Sequence, residues 1–139
     1  MDWKALAVDD LKHYNYLKIG IMNSRDKLRC IEARTEHGKL NSDRNSASPD
    51  SQLIDAIVEY ERLRKNISIS KDLIKMIERG LEALSEEERY VLREFYMQDA
   101  DVNMLKLKEK LGYETRSVYR LRDRALAKFT LAMYGVQNF

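Results

Sequence analysis

The chain has 139 residues, 44% hydrophobic and 35% charged, with a net charge of +2. That length fits one domain, or one long element plus a small domain, and excludes a large single globule. One proline, five glycines and a single cysteine favour helix almost throughout and exclude an internal disulfide.

The first helix is expected from Trp3 to a cap near Gly38. Trp3, Leu6, Tyr14, Leu17, Ile21, Leu28 and Ile31 follow alternating steps of three and four, with Asp10 and Ser24 as polar members of the seam. Such spacing gathers them on one stripe. Gly20 interrupts the helix and costs about 1 kcal/mol relative to alanine. The start, "MDWKALAVDD", is acidic where a secretion signal needs a basic and then apolar run. No apolar stretch approaches the roughly 18 to 20 residues of a membrane span, so the default location is the cytoplasm, with no membrane partner.

"GKLNSDRNSASPD", residues 38–50, holds the only proline and reads as a polar connecting loop. A second long helix is expected from about Ser51, with Ile57, Tyr60, Leu63, Ile67, Ile74, Ile77, Leu81 and Leu84 on its stripe. Residues 1–83 are therefore expected to fold as a long antiparallel two-helix hairpin. The same stripes also suit a homodimer through the long helices. Gly80 reads as a bend.

Residues 84–139 are expected to form a separate unit of shorter helices. Ser85 and Glu88 make a capping-box pattern, and Glu86 and Glu87 suit the positive end of the helix that follows. Val91, Leu92, Phe95 and Tyr96 supply its inward face. Asn103 is placed to cap a short helix in which Met104, Leu107 and Leu111 share a face, and Gly112 closes it. A final helix runs to about Tyr134, capped by Gly135.

Charge is unevenly distributed. Between Met104 and Lys128 lie eight basic residues (Lys106, Lys108, Lys110, Arg116, Arg120, Arg122, Arg124, Lys128) and three acidic ones, Glu109, Glu114 and Asp123. Clustered cations release counterions from phosphate, so this end suits DNA. On the last helix Val118, Leu121, Ala125 and Phe129 face one way, and Arg116, Arg120 and Asp123 the other, with Ser117 and Arg124 on one flank and Tyr119 on the other. In a helix-turn-helix the exposed first residues of the second helix meet base edges. Here those are Thr115, Arg116, Tyr119 and Arg120, arginine being able to bond guanine bidentately. Asn103, Lys106, Ser117, Arg122 and Arg124 are the candidates for backbone phosphate contact. An arginine-rich helix face is more often only a solvated face, so charge alone does not decide the matter.

"LSEEERYVLREFYMQDADVNMLKLKEKLGYETRSVYRLRDRALAKF", residues 84–129, resembles region 4 of bacterial sigma factors. The resemblance rests on Leu84, Glu88, Arg89, Val91, Leu92, Tyr96, Leu107, Leu111, Gly112, Val118, Arg122, Ala125, Leu126 and Lys128. With two long helices and a polar loop before it, and "YNYLK" at residues 14–18, the chain is similar to phage and prophage late-gene transcriptional regulators of the ArpU/RinA type. The resemblance implies an all-α fold with a sigma region 4-like helix-turn-helix, a recognition helix at about 115–134 in the major groove, and contact with double-stranded DNA and RNA polymerase. Two positions depart from the pattern. Glu114 stands where a serine cap is usual, and Lys108 where a small alanine lets the two helices approach.

The expected function is sequence-specific regulation of transcription. The alternative is a helical module that docks on RNA polymerase or a phage protein without reading DNA. No nucleophile with a base, no paired-carboxylate context and no glycine-rich phosphate loop suggests an enzyme. No cofactor is expected, and His13 and His37 lie apart from any ligand-spaced set, so no metal is expected either.

Overall fold

The computed structural model describes residues 1–36 and 49–137, and the chain is all-α. Five helices follow in order: α1 (Trp3–Glu36), α2 (Pro49–Glu82), α3 (Glu86–Tyr96), α4 (Met104–Leu111) and α5 (Thr115–Tyr134). The expected cap at Gly38 lies outside the described residues, as does the expected loop up to residue 48. Pro49 and Asp50, read as loop, instead open α2. A proline suits the first helical position, where its missing N–H would have had no partner.

The described residues fall into two compact units, 1–16 with 74–139 and 17–73. This division differs from the expected boundary between residues 83 and 84. Its physical basis is a set of contacts that tie the start of α1 and the end of α2 to the shorter helices.

In the first unit, Ala7, Leu11, Ile77, Leu81, Leu84, Val91, Leu92, Leu107, Val118, Leu121, Ala125 and Phe129 are buried. The Trp3 and Tyr134 rings lie 5.2 Å apart, tilted by 41°. The Tyr134 hydroxyl donates to Asp10, so the polar residue on the α1 stripe has a built partner. Burial and the Asp10 carboxylate push the Tyr134 phenol well above its ordinary pKa. The Tyr14 hydroxyl donates to Glu78 at 2.8 Å. Asn15 donates to the Met97 carbonyl at 2.9 Å, and Tyr16 to Asp99 at 3.1 Å. These last two bonds anchor the connection between α3 and α4 to α1.

Gly80 lies within α2, where a Cβ would come 2.8 Å from Phe129 Cε2 and 3.1 Å from Cδ2. The absent side chain is what lets the buried Phe129 ring sit against α2.

In the second unit, Ile21, Ile31, Leu63 and Ile67 are buried. The Tyr60 hydroxyl donates to Glu32 at 2.9 Å. Thr35, further along α1, shares a groove with Leu53 and Ala56, which precede Tyr60 on α2. The two segments thus run antiparallel within this unit.

Two stripe positions differ from expectation. Ala7 is fully buried while Leu6 is 36% exposed. Ile57 is 54% exposed, and Ala56 is the more covered of that pair. In both places the three-and-four rhythm continues through the small alanine. The larger neighbour is one step, about 100°, off the stripe. Leu53, Ile54, Ile57 and Val58 are consequently exposed, Leu53 and Ile57 along the groove they line with Ile31, Glu32 and Thr35 of α1.

Candidate nucleic-acid interface

The unit that carries the basic helix is built from local signals. The Ser85 hydroxyl accepts from the Glu88 amide at 3.2 Å, and the Ser85 amide donates to the Glu88 carboxylate at 3.0 Å. This reciprocal pair starts α3. Glu88 is buried, and Lys128 on α5 brings its ammonium to 3.0 Å from the carboxylate. Burial alone would raise the Glu88 pKa, but the Ser85 amide and hydroxyl and Lys128 hold it below the usual carboxylate value. α3 and α5 are thereby locked by an ion pair as well as by Val91, Leu92, Val118 and Leu121.

Asn103 caps α4, its side-chain oxygen accepting from the Lys106 amide at 3.2 Å. Leu107 on α4 is fully buried. Gly112 ends the helix with φ 71°, a left-handed conformation that glycine adopts without a Cβ penalty. Two further residues lead into α5. Glu114 occupies the cap position and makes no side-chain cap bond. Tyr113, between them, donates to Glu87 at 2.8 Å and so fastens the turn to the start of α3. Glu87 holds the Tyr113 phenol above its ordinary pKa. Lys108 is half-buried at the edge of the inward face of α4, which packs on α5.

α5 is held along one side by Val118, Leu121, Ala125 and Phe129. Leu126 and Thr130 are buried too, outside the face expected from sequence. Its first turns carry the exposed residues. Thr115, Arg116, Ser117, Tyr119, Arg120 and Arg124 all face solvent. Among the described residues Arg116, Arg120 and Arg124 have no ion-pair partner. They recur every fourth residue and so form one continuous row along the helix. Like charges at that spacing disfavour an isolated helix by about 0.2–0.5 kcal/mol per pair. A polyanion would relieve this repulsion.

The remaining candidates are engaged in different ways. Asn103 uses its oxygen as a cap, and Lys106 beside it is exposed. Lys110 places its ammonium 4.4 Å from the centre of the Tyr90 ring. Arg122 binds Asp123 at 2.8 Å and lies over two rings, 5.1 Å from Phe95 and 5.0 Å from Tyr119. Phe95 and Tyr119 themselves sit 5.9 Å apart. Sequence reasoning gave Phe95 a core role and missed this stack, because α3 and α5 residues far apart in the chain build it.

Among the described residues no helix is long and apolar enough to cross a membrane. No protein-family model, curated protein or solved structure matches the chain.

Proposed function

We propose that the chain is a non-catalytic, sequence-specific DNA-binding regulator of transcription, encoded by a phage or prophage and acting in the cytoplasm. In this reading α4 and α5 are a helix-turn-helix that follows a long α1–α2 hairpin in the chain, and α5 enters the major groove. Thr115, Arg116, Tyr119 and Arg120 meet base edges, and Asn103, Lys106, Ser117 and Arg124 meet the backbone. RNA polymerase is a second partner, proposed from the sequence resemblance alone.

The observation that carries the proposal is the row Arg116, Arg120 and Arg124, exposed and free of ion pairs on a helix whose opposite side is fixed in the core. A solvated face would gain from acids paired with it at that spacing, but Asp123, the acid that shares this face, is bound to Arg122 at 2.8 Å. Of the cations in this reading, Lys106 and Arg124 go to phosphate. The affinity should then fall with salt with a slope of about −2 on logarithmic axes.

The test is a binding titration on a duplex obtained by selection from random sequence. Arg116→Ala and Arg120→Ala should each relax base choice, at about 1–3 kcal/mol for a bidentate contact. Failure of the wild type to bind any duplex at micromolar concentration and low salt would refute the reading. It would leave the protein-docking alternative.

Self-association is a related proposal, favoured by one observation. Ile54 and Val58, outside the expected stripe of α2, are exposed, and a homodimer through the long helices would use them. Sedimentation of an Ile54→Glu variant beside the wild type checks this. A dimer insensitive to the change would exclude that face.

A further inference from the structure

We infer that Arg122 is a positioning residue, holding Tyr119 rigid at the surface of α5, and that it is not a phosphate contact. The inference rests on the DNA-binding reading and concerns how that site discriminates between sequences.

Three observations converge on it. The Arg122 guanidinium is already engaged by Asp123, through its Nε at 3.0 Å and a terminal nitrogen at 2.8 Å. Its guanidinium lies over both Phe95 and Tyr119, at 5.1 and 5.0 Å from the ring centres. Such cation–ring contacts orient a planar guanidinium and an aromatic against each other. Finally, Arg122 is half-buried, whereas Tyr119 is exposed. The covered member of the stack therefore supports the exposed one.

The consequence follows from the chemistry of recognition. A tyrosine swinging freely would lose rotamer entropy on meeting a base edge, and would adapt to several bases. A tyrosine backed by Phe95 and capped by Arg122 has that freedom removed beforehand. It offers one ring edge and one hydroxyl in a fixed place, one step from the Arg120 side chain. The apolar ring edge is suited to the 5-methyl group of thymine in the major groove. Arg124, two residues further on, is exposed and unpaired. It makes the natural comparison, since it is the residue expected to meet phosphate.

The experiment measures binding of the full chain to a selected duplex and to a scrambled one, each across a salt series. Arg122→Ala should lower the preference for the selected duplex about tenfold and leave the salt slope unchanged. Arg122→Met, which retains the stem and removes the charge, should also leave the slope unchanged. Arg124→Ala should instead reduce the slope by about 0.9 and weaken both duplexes alike. Tyr119→Ala should lose as much preference as Arg122→Ala, and the double variant no more than either. Replacing thymine by uracil in the selected duplex should weaken the wild type but not Tyr119→Ala.

A slope reduced by about one unit in both Arg122 variants would make Arg122 a phosphate contact and overturn the inference while leaving the DNA-binding reading intact. Unchanged preference in Arg122→Ala would overturn it equally. Absence of any DNA binding by the wild type would remove the broader reading, and this inference with it.

Discussion

Gly80→Ala and Gly20→Ala are the same chemical change in two long helices, and the structure gives them opposite signs. In a helix interior, replacing glycine by alanine is favourable by about 1 kcal/mol. At Gly20 nothing lies within 4 Å of the added methyl group, so the full gain is expected. At Gly80 the methyl group would sit 2.8 Å from Phe129 Cε2 and 3.1 Å from Cδ2, inside van der Waals contact. Phe129 is fully buried, so its ring has no open space to enter. Overpacking of this kind costs about 1–3 kcal/mol. The net effect at Gly80 runs from neutral to about 2 kcal/mol destabilising, and the two variants should differ by about 1–3 kcal/mol. Urea titration provides the assay. Trp3, the only tryptophan, stacks near Tyr134 in the unit that contains Gly80, so its emission follows that unit while far-UV circular dichroism follows both. Phe129→Leu should relieve the clash, so that Gly80→Ala becomes favourable in that background, a coupling of about 1–3 kcal/mol. Equal stabilisation by both alanines, or no coupling with Phe129→Leu, would refute the seating of α5 on α2.

Two further expectations concern the frame of the candidate interface. Glu88→Gln keeps the reach-back bond of the capping box but removes the charge facing Lys128, and should destabilise by about 1 kcal/mol at neutral pH. Because the Glu88 carboxyl is held below its ordinary pKa, its contribution is fully present above the ordinary value and is lost as pH falls through the folded one. The gap between variant and wild type should therefore close on acidification, and a constant gap from pH 7 to 3 would contradict the assignment. Ser85→Ala removes the hydroxyl that accepts from the Glu88 amide and should cost about 0.5–2 kcal/mol by thermal melting.

What the sequence displayed most clearly was whatever depends on neighbours in the chain. The Ser85–Glu88 box, the Asn103 cap, and the glycines that end α4 and α5 are each decided within four residues, and all four are found. The stripes of the long helices were legible in rhythm but not in phase. At Leu6/Ala7 and Ile57/Ala56 a ranking by hydrophobicity selects the larger residue, whereas the continuing helix turns the smaller one inward. The Arg122 stack and the Gly80 seat were not legible at all. Each joins residues from different helices, and neither a stacked arginine nor a glycine beneath a ring leaves a periodic trace. The boundary between units was hidden for the same reason, since Trp3, Asp10, Asn15 and Tyr16 show their partners only in three dimensions.

The bond from Tyr134 to Asp10 spans 124 residues of chain. Ribosomes add about 5–20 residues each second, so Asp10 is synthesised roughly 6 to 25 s before its partner. The described residues between 17 and 73 form one compact unit, whereas the unit that presents α5 combines residues 1–16 with residues from 74 onward. The first can assemble during translation, and the second only when the final helix has arrived. A transcript cut short, or a chain released early, would thus yield an intact 17–73 unit without a seated α5. Seating of α5 therefore follows the synthesis of every other described helix.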